Sequence, residues 1–164
     1  MIVSELRGDL VATLKKAIDT DVNRPFFMAQ GCNCFVTQGS GIAGQLRSVP
    51  AVYQADVDYG REGDITKLGE MSVAVWEERA AVFNLYTQYH YGAGVRQVDY
   101  CAVKESVREM CRYLEGVNAP VFVPLIGAGL AGGEWDLIRA CIDKASGKTR
   151  IIVVHFEQDK ILDW

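Results

Sequence analysis

Histidine is scarce in this chain: His90 and His155 are the only two among 164 residues. That leaves little material for a histidine-built metal centre. Proline is scarce as well, with four residues, and no Pro/Ser-rich stretch divides the chain. One domain over residues 1–164 is therefore expected. No apolar run approaches the roughly 20 residues that a bilayer span needs. Met1–Leu10 carries Glu5 and Asp9 and lacks an apolar signal core, which points to a cytoplasmic protein with no membrane partner. Positive charge is not in excess either. Lys plus Arg number 17 against 21 Asp plus Glu, a net charge of −4, so the basic footprint of a general nucleic-acid binder is missing.

Cysteine is present in an odd number, five: Cys32, Cys34, Cys101, Cys111 and Cys141. A chain of this length with 49% hydrophobic residues can build a core without bridges. The thiols are read as reduced, in a reducing compartment. Cys32 and Cys34 would share one face of a strand, but no second ligand pair matches them. They are read as buried structural thiols, and no metal or cofactor is expected.

What the chain has in excess is glycine, 16 residues, against roughly 11 or 12 at average usage. Eight of them fall in two stretches, Gly31 to Gly44 and Gly127 to Gly133. Around them, strand-like and helix-like segments alternate. Ile2–Leu6, Phe26–Asn33, Val121–Ile126 and Arg150–Phe156 read as strands. Met71–Trp76 and Ala80–Tyr86 read as strands joined in a hairpin by Glu77, Glu78 and Arg79. Helical spacing marks Leu10–Ala17, Val98–Leu114 and Glu134–Ala145, and a helix over Ile42–Tyr59 is expected to break near Pro50. Continuous apolar strands alternating with amphipathic helices predict an α/β fold with a mixed, mostly parallel sheet covered on both faces.

Each glycine cluster follows an apolar strand and precedes a helix. In α/β sheets ligands sit at the carboxyl ends of strands, and glycine lets backbone N–H groups approach a phosphate. An acidic protein can grip an anion this way without lysines. Glycine is also what a tight strand-to-helix turn needs sterically. Gly39-Ser40-Gly41-Ile42-Ala43-Gly44 matches G-x-G-x-x-G, with Asp64 20 residues beyond Gly44. The dinucleotide fingerprint, however, follows its strand directly and opens the first βαβ unit. Here Cys34–Gln38 intervene, and a strand and a helix come before.

Five pieces in order resemble the macro domain, the ADP-ribose-binding module, along nearly the whole chain. They are Arg7-Gly8-Asp9-Leu10; Asn33, eight residues before Gly41; Gly39-Ser-Gly-Ile-Ala-Gly-Gln-Leu46; Pro124-Leu-Ile-Gly-Ala-Gly-Leu-Ala-Gly132; and Phe156 closing the last strand. The resemblance implies a three-layer α/β/α fold with helices on both faces of a mixed sheet. It implies that Asp9, with Leu10 beside it, takes the adenine amino group, and that Asn33 holds the distal ribose. The backbone of Gly39, Ser40, Gly41, Ile42 and Ala43 would grip the diphosphate. So would that of Ile126, Gly127, Ala128, Gly129, Leu130 and Ala131, while Phe156 lies against adenine. Other roles stay open. Asp9 can cap a helix, Asn33 can form a turn, and Phe156 can pack in the core.

Cys32-Asn-Cys34 and the Gly-Ser-Gly-Ile-Ala piece lean toward the branch with ADP-ribose-1″-phosphate phosphatases and ADP-ribosyl-ester hydrolases. That branch's Lys and Asp are missing: Gln88 and Ala131 stand where they are expected. The polar residues expected near the distal ribose are Asn33, Gln38, Ser40, Gln88 and His90. Of these, Asn33 and His90 are the catalytic candidates, His90 as general acid or base beside a water that Asn33 positions. An exposed loop ring is the alternative for His90, and His155 is read as structural. Two functions follow from the resemblance. One is a hydrolase acting on ADP-ribose-1″-phosphate or an ADP-ribosyl ester. The other is a non-catalytic reader of ADP-ribose or of an ADP-ribosylated macromolecule.

Overall fold

The computed structural model describes residues 1–21 and 23–164. Six strands form one sheet: β1 (Ile2–Gly8), β2 (Phe26–Cys32), β3 (Met71–Trp76), β4 (Ala80–Tyr86), β5 (Val121–Val123) and β6 (Ile151–Phe156). Their spatial order is β1-β6-β5-β2-β4-β3, and every neighbouring pair is parallel except the β3–β4 hairpin. The mixed, mostly parallel sheet and the hairpin thus agree with the sequence reading. Helices α1 (Leu10–Asp19), α2 (Gly41–Leu46), α3 (Pro50–Asp58), α4 (Tyr100–Tyr113) and α5 (Trp135–Ala145) complete the chain, with a short 3₁₀ turn at Ile65–Lys67.

Alternation along the strands sends successive side chains to opposite faces. From β2 and β4, Ala29, Ala81, Phe83 and Leu85 pack with Val103, Val107, Met110, Ile138 and Ile142 of α4 and α5. On the other face, Phe26, Met28 and Val82 pack with Leu10, Leu14, Leu46 and Val52 of α1, α2 and α3. The two clusters make the three layers, helices–sheet–helices.

Local chemistry sets the element ends. Asp9 and Asp99 cap α1 and α4, each accepting from the backbone N–H three residues on (Ala12 and Ala102) at 3.0 Å. The expected helix over 42–59 is two helices, because Pro50 cannot continue α2 but fits the first turn of α3. The strand expected over 121–126 stops at Val123. Pro124 lacks the N–H a ladder needs, and the chain turns there into the second glycine loop.

Phe83 sits at the centre of this packing, with no exposed surface and edge-on to Phe27 and Tyr113. Phe83→Ala is expected to lower unfolding free energy by about 3–5 kcal/mol, measured by urea denaturation.

Candidate functional site

The parallel strands β6, β5, β2 and β4 lie side by side, so their carboxyl ends open onto one edge of the sheet. A cleft of about 700 Å³ lies there, within the range of nucleotide-sized sites. Residues 39–43 after β2 and 126–131 after β5 both line it, together with Asn33, Gln88, Val154 and Phe156. Thus the structure brings the two glycine loops to one cavity. Gly41 opens α2 at φ +57°, and Gly127 has φ +71° with Val98 Cγ2 only 2.7 Å from where a Cβ would stand. A side chain at Gly127 is excluded on both counts. The second loop is pinned to the chain before α4, with Gln97 N and Val98 N both donating to Ala131 O at 2.8 and 3.2 Å.

Phe156 is 58% exposed on the cleft rim, so core packing is not its role. Gly8 pairs with Phe156 across β1–β6, which puts Asp9 at the same end of the sheet. Asp9 and Leu10 themselves do not line the cleft. The Asp9 carboxylate is buried and occupied as a cap: Oδ1 accepts from Ala12 N, and Oδ2 accepts from Asp159 N at 3.1 Å.

At the other end, Asn33 lines the cleft but spends its amide locally. Its Nδ2 donates to Thr37 Oγ1 at 2.7 Å and its Oδ1 accepts from Phe35 N at 2.8 Å. This turn carries Val36 at φ +59°, a costly conformation for a β-branched residue. Gln88 Nε2 donates to His90 O at 2.8 Å, shaping the loop after β4. His90 stands just outside the wall, stacked on Tyr91 at 4.6 Å and against Phe35 at 4.7 Å. Its Nδ1 lies 2.9 Å from both the N and the O of Tyr91, so Nε2 is the ring nitrogen that Tyr91 does not engage. Gln38 also lines the cleft, with its side-chain amide buried and bonded to Gln30 and Asp56. His155 pairs with Glu5 at 2.9 Å on the far strand edge.

Several wall residues were not foreseen: Tyr91, Gly92 and Ala93 from the loop after β4, and Cys32 and Asp56 at the back. Polar residues in a buried strand were the available signal, because Gln30 and Asn84 sit at the centres of β2 and β4. Among the described wall residues none is Lys, Arg or His. Nearby cations are committed elsewhere. Arg47 bonds Gln38 O at 2.8 Å and lies over Tyr53, Arg96 lies over Tyr100, and Lys67 is buried beside Asp56. Negative charge on a ligand would therefore be met by backbone N–H groups. Among the described residues, no three His, Cys, Asp or Glu side chains converge as metal ligands. No helix there is long and apolar enough to cross a membrane.

Burial and the Asp56 carboxylate push the Cys32 thiol well up, and burial raises Cys34 to about 11. A raised thiol value disfavours the thiolate, the reactive form, at every pH below it. At pH 8, iodoacetamide is expected to spare Cys32 and Cys34 in the native protein while alkylating the exposed Cys101, as read by peptide mass spectrometry.

No protein-family model matches the chain. It is 36% identical over 165 residues to the uncharacterized 17.5 kDa protein in the tk-vs intergenic region of Enterobacteria phage T4. That alignment covers 96% of this chain and 98% of the phage protein. Among solved structures, the macrodomain of Mycobacterium tuberculosis DarG superposes with a TM-score of 0.70 at 20% identity, covering 94% of this chain and 98% of that one. Thermosipho africanus DarTG in complex with ADP-ribose superposes with a TM-score of 0.63 at 16% identity, over 86% of this chain and 40% of that one.

Proposed function

This chain belongs to one family with the phage T4 protein and has the macrodomain fold, and on that premise we propose that its cleft binds ADP-ribose and acts on derivatives of the distal ribose. The observation that carries the reading is the convergence of two glycine loops on one cavity with a cation-free wall. A diphosphate suits such a site. Its charge is spread over several oxygens, which preorganised N–H groups can satisfy without the desolvation cost of a buried lysine. In this reading adenine lies at the Phe156 end, the diphosphate between residues 39–43 and 126–131, and the distal ribose near Asn33 and Gln88.

Chemistry at the distal ribose would fall to water, positioned by Asn33 and assisted by His90 Nε2 at the lip. The substrates proposed are ADP-ribose-1″-phosphate or an ADP-ribosyl ester. Asn33 would exchange its bond to Thr37 for the ribose hydroxyls, which also offers the strained turn at Val36 a way to relax. A second reading is favoured by the same wall. Its ionisable side chains are Cys32, Asp56 and Tyr91, of which the first two are buried, and this suits a reader that holds ADP-ribose or an ADP-ribosylated macromolecule without turnover.

Titration calorimetry with ADP-ribose is expected to show saturable one-to-one binding, with the largest amide shifts by NMR at residues 39–43 and 126–131 and further shifts near Asn33, Gln88 and Phe156. Absence of heat and of shifts at millimolar ligand would overturn the reading. Incubation with ADP-ribose-1″-phosphate and with ADP-ribosylated protein separates hydrolase from reader. For the hydrolase, His90→Ala is expected to lower turnover by about 10²-fold or more while leaving ADP-ribose affinity unchanged; full activity in that variant removes His90 from the mechanism.

A further inference from the structure

Behind the first glycine loop lies a buried polar network that binding does not by itself require. Asp56 of α3 is 1% exposed and Lys67 is 2% exposed, with Nζ 3.7 Å from Asp56 Oδ1. The Lys67 ammonium has no hydrogen-bond partner among the described residues and lies 4.7 Å from the centre of the Tyr86 ring. The Asp56 carboxylate is the hub. Oδ1 accepts from the Tyr86 hydroxyl at 2.8 Å, and Oδ2 accepts from Gln38 Nε2 at 2.8 Å. Gln30 of β2 donates to Gln38 Oε1 at 3.3 Å and to Asn84 Oδ1 at 2.8 Å, tying the hub to the two central strands.

A buried ion pair is a poor device for stability alone, since desolvation offsets most of its attraction and apolar residues of similar volume often do as well. What it does provide is direction. A carboxylate fixed from one side by Tyr86 accepts a strong, oriented hydrogen bond from whatever faces the other side. That group is Gln38, the residue immediately before Gly39-Ser40-Gly41. The Gln38 carbonyl is held as well, accepting from Arg47 Nε at 2.8 Å. Gln38 is therefore clamped at both its side chain and its backbone, and the glycine loop starts from a fixed point.

We propose that Asp56, charge-balanced by Lys67, is a positioning residue that clamps Gln38 and so preorganises the backbone N–H groups of residues 39–43 for the diphosphate. The role rests on the reading that this cleft takes ADP-ribose. Asp56 lies at the back of the cleft with its carboxylate spent on Tyr86 and Gln38, and Lys67 does not line the cleft. They act by removing motions of the loop that ligand binding would otherwise have to freeze.

The test is the double variant Asp56→Asn/Lys67→Met, which removes both charges together and leaves neither buried alone. Far-UV circular dichroism and a cooperative thermal transition establish that it folds. In the ligand-free protein, hydrogen exchange at residues 39–43 is expected to speed up about tenfold or more, while the β2 and β4 amides keep their relative protection. The Kd for ADP-ribose is expected to rise about tenfold. Gln38→Leu cuts the same link while keeping both charges of the ion pair, and is expected to give the same loop-confined acceleration, which keeps the test decisive if the double variant does not fold. Unchanged exchange at residues 39–43 in a folded variant overturns the proposal. A wild-type protein that fails to bind ADP-ribose overturns the reading of the cleft instead, and the exchange measurement still decides whether Asp56 clamps the loop.

Discussion

The parallel register between β2 and β4 is the constraint on which the rest of this structure depends. Seven consecutive pairs, from Phe26 against Ala80 to Cys32 against Tyr86, are in step. Because strand side chains alternate, that register sorts every neighbour onto a face. Ala29, Ala81, Phe83 and Leu85 go to the α4–α5 layer, and Phe26, Met28 and Val82 go to the α1–α3 layer. The same parity places Gln30, Asn84 and Tyr86 together on the α1–α3 side, where they build a polar network inside a layer that is otherwise apolar. A slip of one residue would bury Phe83 against that network and turn Asn84 into the apolar core. The register also aligns the ends of the two strands, so the chain after Cys32 and the chain after Tyr86 leave the sheet at one level. With β5 beside β2, the second glycine loop is brought to the same edge.

Charge is distributed in keeping with that architecture. Cations close to the cleft are each neutralised or engaged: Lys67 by Asp56, Arg47 by Gln38 O and the Tyr53 ring, Arg96 by the Tyr100 ring. The wall is left to backbone dipoles. N–H groups held by backbone geometry need little reorganisation when an anion arrives, whereas a flexible lysine loses rotamer entropy and its own hydration. A net charge of −4 is therefore compatible with the proposed diphosphate site. Glycine is essential to the arrangement at Gly127, where positive φ and the closeness of Val98 forbid a side chain.

Much of the fold was legible because its signals are local. The apolar runs of β2, β4 and β6, the hairpin between β3 and β4 and the periodic faces of α1, α4 and α5 follow from spacing alone. The break expected near Pro50 is present as the gap between α2 and α3, while Pro124 ends a strand expected to reach Ile126. At the site, the loops were legible as glycine clusters after strands. Asp9 and Asn33 each had two readings from the sequence. The local one is realised in the structure, a helix cap for Asp9 and a turn for Asn33, because both carry short polar side chains that reach their own backbone first.

The strands and helices, their alternation into an α/β fold, and the position of two glycine clusters just past strand ends are written in the local sequence. These depend on residue type and spacing over a few positions. Tertiary structure alone decided that the two clusters share one cleft, that Phe156 stays on its rim while His90 stands outside its wall, and that Asp56 meets Lys67 and Gln38. Asp56 lies on a short helix with no marked apolar face, Lys67 in a 3₁₀ turn, and Gln38 in a loop. No periodicity links such positions. They meet because the strand order of the sheet carries the segments after β2 and before β3 to the same buried face, and once they are there, burial makes each polar group find a partner.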